Sequence, residues 1–277
     1  MNIVLTGHRG LIGSFLEKKL EDGGHRIQGI DVRDGTNILE IDELDLDFPI
    51  NMMVHAAAHC KINQAIQNPE VNYVNDVQGT FKVLEFCRKN KIPKIVYFSS
   101  SRVLSKEKNP YTAAKIYGEE LCKAYHDSYG IDYVIVRPST VYAPFWDETE
   151  RLMHIFITNA LEGKDLEIYG NPETKTLDFT YIDDFVDATI LAIHAPEWNR
   201  EYNISGGEES NLYEFAQWII AETQSSSQIN IKDAEIAQPQ QVQVDISEIE
   251  KLGYIPKVKL KEGLRKTISW YQAHINL

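Results

Sequence analysis

The chain has 277 residues, 43% hydrophobic and 25% charged, an ordinary globular composition with apolar material for one large domain or two interleaved lobes. A formal net charge of −13, with no run of Lys or Arg, argues against a nucleic-acid partner and requires any anionic ligand to be held by specific local donors. No apolar run approaches the roughly 18 residues of a membrane span. Met1 leads into the strand-like Ile3-Val4-Leu5 with no basic leader before it, and Cys60, Cys87 and Cys122 show no ligand spacing, so a cytoplasmic location is expected.

In chain order, Ile3–Leu5 reads as a strand, Leu11–Leu20 as a helix and Arg26–Ile30 as a second strand. Met52–His55 is a short apolar run before small residues, and Val71–Cys87 has helical periodicity. Lys94–Phe98 reads as a buried strand, Tyr111–Tyr129 as a helix and Tyr133–Val136 as a strand. This alternation predicts an α/β fold, a Rossmann-type doubly wound parallel sheet with helices on both faces. Beyond about residue 145 the regularity weakens: Gly163, Gly170-Asn171-Pro172 and Ser205-Gly206-Gly207 separate shorter elements. Gln224–Gln228 reads as a surface loop or helix end, and Leu260–Tyr271 as a closing helix. The expected organisation is a dinucleotide-binding domain over 1–145, with 178–204 returning to it, and a smaller substrate-binding lobe over most of 146–277.

Gly7-His8-Arg9-Gly10-Leu11-Ile12-Gly13 follows the first strand and opens the first helix. Gly7 suits a tight turn, Gly10 close approach of a pyrophosphate, and Gly13 close packing of helix on strand, with helix N–H groups facing the phosphates. Asp31 ends the second strand 18 residues past Gly13, where a carboxylate accepts from the adenosine ribose and repels a 2′-phosphate. NAD is therefore expected over NADP, although Arg9 and Arg33 lie close by. Either Asn37-Ile38 or Asp45-Leu46 is placed to flank the adenine.

Tyr111-Thr112-Ala113-Ala114-Lys115 is the sharpest chemical signal. Residues four apart share a helix face, so Tyr111 and Lys115 project together. A phenol ionises at about pH 10, and an adjacent ammonium favours its phenolate, which makes Tyr111 a usable general acid or base. The pair follows a serine-rich strand end, Phe98-Ser99-Ser100-Ser101, and in a parallel sheet such ends carry the chemistry.

With these motifs, the ordered set His55-Ala56-Ala57-Ala58, Gly79-Thr80, Arg137-Pro138, Asp178-Phe179-Thr180-Tyr181-Ile182-Asp183-Asp184 and Tyr202-Asn203-Ile204-Ser205-Gly206-Gly207 resembles an extended short-chain dehydrogenase/reductase. The resemblance is to the NAD-dependent epimerase/dehydratase family acting on nucleotide sugars, and it runs essentially end to end. It implies Ser100 as the catalytic hydroxyl, Tyr111 as the acid/base and Lys115 as the lysine that holds the nicotinamide ribose. Ala56, Ala57, Ala58, Ser99 and Pro138 then join the glycine loop as cofactor contacts, and Lys61, Ser101, Arg102 and Thr140 are expected at the substrate. The family chemistry passes through a transient keto-sugar. A homodimer is also expected, through the helices over Val71–Cys87 and Tyr111–Tyr129, with Val74, Val77, Phe81 and Leu84 either in the contact or facing the chain's own sheet.

Departures narrow the reaction. Dehydratases of the family carry Asp-Glu just after the catalytic hydroxyl, where this chain has Ser101-Arg102. Members that epimerise beside a carbonyl carry a Cys at the position of Arg102. A nucleotide-sugar 4-epimerase is the leading expectation, with an NAD(P)-dependent sugar dehydrogenase or reductase as the alternative and a non-catalytic NAD-binding sensor behind both. The diphosphate clamp is altered too, because Leu177 and Gln238 stand where the family often has arginines, and Asp76 where it often has Asn. Lys61, Arg102, Lys175 and Arg200 are candidates to compensate. His8, His55 and His59 fall in separate strand-end loops, and the Asp183-Asp184 turn is expected to cap a helix, so no metal is expected.

Overall fold

The computed structural model describes residues 1–241 and 243–275. Its first half runs β1 (Asn2–Thr6), α1 (Leu11–Asp22), β2 (Arg26–Ile30), β3 (Met52–His55), α2 (Ile62–Gln67), α3 (Pro69–Asn72), α4 (Gly79–Lys89), β4 (Lys94–Phe98), α5 (Pro110–Tyr129), β5 (Asp132–Pro138) and β6 (Thr140–Tyr142). The second half adds α6 (Leu152–Leu161), β7 (Leu166–Tyr169), β8 (Thr176–Tyr181), α7 (Ile182–Ile193), β9 (Arg200–Ile204), β10 (Glu209–Asn211), α8 (Leu212–Thr223), β11 (Ile229–Lys232), α9 (Ser247–Glu250) and α10 (Leu260–His274). Six strands make one parallel sheet in the order β2-β1-β3-β4-β5-β9. The sheet is buried on both faces, as an all-parallel sheet must be. Ile3 and Leu5 enter one core with Val54 and Val96, while Val4 between them enters the other with Met53 and Ile95.

Strand order reverses between β1 and β3, and the crevice beyond their C-terminal ends is where such sheets bind ligands. Residues 31–51 hold only two 3-10 turns, Val32–Asp34 and Ile38–Glu43, so the sheet ends at β2. The helical run read over Val71–Cys87 is interrupted by a π-helical turn, Tyr73–Gln78, which carries Asp76 into the interior. Such wide turns gather at functional sites.

Apart from the main sheet there are a three-stranded sheet, β10-β8-β6, and a parallel pair, β11-β7. Of the stretch 178–204, Asp178–Tyr181 lie in β8, whereas β9 joins the main sheet beside β5 and α7 packs on α1. The larger core runs without a break from Val134 and Val136 to Phe156, Phe179 and Phe215. Phe179 and Phe215 stack with ring centroids 4.4 Å apart. The loop-rich reading of the second half passed over α6 and α8. In α6 the run Leu-Met-His-Ile-Phe-Ile places apolar residues all round the helix, which erases the period that marks an amphipathic one.

Candidate active site

β1 ends at Thr6, and the chain turns through Gly7 at φ +75°, a left-handed conformation natural to glycine. A Cβ on Gly7 would lie 2.7 Å from the Ala57 nitrogen, and one on Gly13 would lie 2.0 Å from the Gly7 carbonyl oxygen. Gly10 is the N-cap of α1 and no side chain caps it, so the first-turn N–H groups of Leu11, Ile12 and Gly13 have no side-chain acceptor. A pyrophosphate satisfies such a terminus. At the end of β2 the Asp31 carboxylate accepts from the Arg9 and Arg33 backbone nitrogens at 3.2 and 3.0 Å. The Arg9 side chain is committed to Asp34 at 2.9 Å; Arg33 donates to the Arg9 carbonyl at 2.6 Å and pairs with Glu148 at 2.9 Å. Both side chains thus already have partners within the chain. The glycine gap, the uncapped helix and the Asp31 carboxylate at the end of β2 fit NAD.

The flanking residues fall in different settings. Ala56 and Ala57 are tied to β1, their nitrogens donating to the Thr6 carbonyl at 3.1 Å and hydroxyl at 3.2 Å, while Ala58 is exposed. Asn37 caps a 3-10 turn by accepting from the Leu39 nitrogen, and Ile38 is buried above Gly79. Pro138 ends β5 opposite Ile204. The Ser99 hydroxyl is turned to Glu119, which also takes Arg137. His8 bonds Asp34 at 2.6 Å and Glu17 at 3.0 Å. Asp183 and Asp184 do not cap α7, contrary to expectation. They lie in its first turn, behind Tyr181 at the N-cap, and Asp184 instead accepts from the Lys257 and Val258 nitrogens.

The chemistry-bearing side chains meet where β4 hands over to α5. Ser100 caps the turn Ser101–Leu104, its oxygen accepting from the Arg102 nitrogen at 3.2 Å. Asn109 opens α5 with a reciprocal capping box to Thr112, and Pro110 takes the first turn. Tyr111 and Lys115 are both buried on the same face, with the Lys115 Nζ 6.0 Å from the Tyr111 ring centroid and donating to the Phe98 carbonyl at 2.9 Å. Burial drives the Tyr111 phenol well above its ordinary pKa, and the Ser100 hydroxyl and the Arg102 cation pull the other way. Burial lowers the Lys115 ammonium, and the carboxylates of Asp76 and Glu119 oppose this.

Sequence reasoning gave Asp76, Glu119 and Arg151 no role here. Asp76 is buried on the π turn, accepts from the His59 nitrogen at 2.8 Å and from Asn72, and faces Lys115 electrostatically. Its signal was a carboxylate inside an apolar helical pattern. Glu119 lies one turn beyond Lys115, which the i, i+4 rule could have picked out. Arg151 is locked to Asp147 at 2.7 Å and raises no motif, because its link to Tyr111 exists only in the fold.

The candidate substrate residues separate. Ser101 is buried behind Ser100, and Thr140 begins β6 opposite Phe179. Lys61 faces Glu150 at 3.6 Å. Arg102 is partly buried on the turn that Ser100 caps, and Lys175 is buried with its Nζ donating to the Pro239 carbonyl at 3.0 Å. Arg200 lies elsewhere: it starts β9, at the end of the sheet away from the strand C-termini, and pairs with Glu197. Leu177 is in the core, and Gln238 bonds Asn63 at 2.7 Å. Among the described residues no group of three or more His, Cys, Asp or Glu is placed to hold a metal.

A parallel doubly wound sheet with an open glycine-loop helix, and Ser100, Tyr111 and Lys115 at the strand ends, defines a Rossmann-type dinucleotide-dependent enzyme. A profile of the NAD dependent epimerase/dehydratase family matches residues 3–205, and the chain belongs to that family. It is 30% identical to a putative UDP-glucose 4-epimerase of Methanocaldococcus jannaschii, over 97% of each chain. A UDP-glucuronic acid 4-epimerase from Bacillus cereus, crystallised with UDP-glucuronic acid and NAD, superposes with a TM-score of 0.87 at 25% identity over 99% of each chain. A dTDP-glucose 4,6-dehydratase from Streptomyces venezuelae shares the fold at a TM-score of 0.91 and 24% identity, covering 100% of this chain and 98% of the other.

Proposed function

We propose that the chain is a nucleotide-sugar 4-epimerase that works through a transient 4-keto-sugar. The observation that carries this is a complete Ser100–Tyr111–Lys115 set followed by Ser101 and Arg102, with no carboxylate where water elimination would need one. The names of the relatives support the same reaction. Bound NAD supplies the acceptor and donor of hydride. Tyr111 takes the proton from the sugar hydroxyl and later returns it. Ser100 donates a hydrogen bond to the same oxygen as its carbonyl character develops. Lys115 holds the nicotinamide ribose, and its charge favours the phenolate.

The test is incubation with NAD and a UDP-hexose, with the product resolved by NMR. The expected product is the 4-epimer without net NADH; one NADH per turnover would replace this reading with a dehydrogenase. Tyr111→Phe should lower kcat by about 10²- to 10⁴-fold while substrate binding persists.

We further infer a cytoplasmic homodimer formed through α4 and α5, with the second lobe, mostly 146–277, presenting the substrate. Support comes from exposed Tyr73, Phe81 and Tyr117 on that helix face and from three free thiols. No helix among the described residues is long and apolar enough to cross a membrane.

A further inference from the structure

Between β6 and α6 the chain runs through residues 143–151, and the last six of these fold around the buried Asp147. Its carboxylate accepts from the Thr149 nitrogen at 3.1 Å and from the Arg151 Nε at 2.7 Å, and its carbonyl accepts from the Glu150 nitrogen at 2.8 Å. The turn is anchored where it begins: the Phe145 carbonyl accepts from the Tyr271 hydroxyl at 2.9 Å, and the Phe145 ring meets Phe15 of α1 edge-on, with 6.4 Å between centroids. Leu11, the first residue of α1, lines one cavity with Phe145, Asp147 and Arg151, so the turn lies beside the helix that the glycine loop opens. Two glutamates of the turn find partners on opposite flanks of β1. Glu148 pairs with Arg33 at 2.9 Å, in the loop after β2, and Glu150 with Lys61 at 3.6 Å, in the loop after β3. β2 and β3 are the two neighbours of β1 in the sheet, and Arg33 also donates to the Arg9 carbonyl of the glycine loop at 2.6 Å. The segment therefore spans the crevice at the end of β1 from one side to the other.

We infer that residues 146–151 form a strap across the dinucleotide crevice, latched by Glu148 on the β2 side and by Glu150 on the β3 side, which must open for NAD to enter or leave. The inference needs NAD on the glycine loop and no particular sugar. One exposed ion pair adds little to the stability of a fold. Here both pairs act on a single short segment whose internal hydrogen bonds on Asp147 make it move as a unit. Its two ends are held independently, at Phe145 by Tyr271 and at Arg151 by the start of α6. The two latches are therefore the ion pairs that a swing of the strap has to break, and they govern the rate of cofactor exchange rather than the overall fold.

Stopped-flow mixing of NADH-loaded protein with excess NAD follows release through the loss of nicotinamide fluorescence. The double variant Glu148→Gln, Glu150→Gln should release NADH about 2- to 30-fold faster, the range that two exposed ion pairs allow. Each single variant should fall between it and the unmodified protein. Removing two negative charges would by itself tighten the hold on an anionic dinucleotide, so faster release reports the latches and not the net charge. Raising the salt from about 0.05 M to about 0.5 M should quicken release from the unmodified protein and leave the double variant nearly unchanged, because screening then has no latch to weaken. Release from the double variant at the unmodified rate or more slowly, with the salt response retained, overturns the strap and leaves the 4-epimerase reading standing.

Discussion

His55 closes β3 inside the protein, its Nδ1 2.7 Å from the Thr6 hydroxyl and its Nε2 3.2 Å from the Thr80 hydroxyl. Burial, with the Lys115 cation second, lowers its pKa to about 3. An unfolded histidine titrates at about 6.5, so between these values the unfolded chain binds the extra proton. This contribution to stability is complete above pH ~6.5 and is lost as pH falls toward 3, at up to about 1.4 kcal/mol per pH unit. His55→Gln keeps a donor and an acceptor between the two threonines and should flatten the acid limb by that slope. Urea unfolding from pH 7 to 4.5 reads the difference, and parallel curves for the two proteins would assign the acid sensitivity elsewhere. At this scale the sequence was legible where function follows local spacing. Tyr111 and Lys115 share a helix face, and Ser100 ends a strand. It was silent where partners meet only in the fold, as with Arg151 near Tyr111.

The start of α5 fixes the position of Tyr111 and Lys115, the two side chains proposed for the reaction, so its cap bears on both stability and rate. Asn109 accepts from the Thr112 nitrogen at 3.0 Å, Thr112 accepts from the Asn109 nitrogen at 2.9 Å, and the Asn109 amide also donates to Ala237 across the site. Asn109→Ala should cost about 1 kcal/mol through the lost cap and lower kcat, because Tyr111 sits in the turn that frays. Asn109→Asp keeps the cap acceptor and should recover most of the stability, which thermal unfolding and steady-state rates would show together. Elements were readable where one periodicity held: the strands β1 to β5, with α1, α5 and α10, stand close to their expected bounds. They were lost where apolar residues run all round a helix that buries only one face, as in α6, or where a π turn breaks one helix into two registers, as at Tyr73–Gln78. A wide turn costs no change of composition, so nothing in the pattern of Val71–Cys87 marks it.

On the surface of the whole molecule, α4 with its preceding π turn and α5 present an apolar stripe that none of the described residues covers. Tyr73, Val77 and Phe81 follow at intervals of four, and Tyr117 on α5 lies within electrostatic reach of Tyr73, so the two helices contribute to one patch. Tyr73 is 54% exposed, Phe81 44% and Tyr117 37%, whereas Leu84, also expected in the contact, is buried in the chain's own core. Like-charged chains of −13 repel as they approach, so this apolar face must outweigh the repulsion, and added salt should strengthen association by screening it. In a two-fold contact each residue recurs on the partner, so one introduced carboxylate becomes two near the axis. Phe81→Glu or Tyr117→Glu should therefore yield monomers that still bind NAD. Light scattering of the unmodified protein at micromolar concentration should give twice the 31.7 kDa chain mass. A monomer mass there, unchanged by salt, would leave the stripe without this partner.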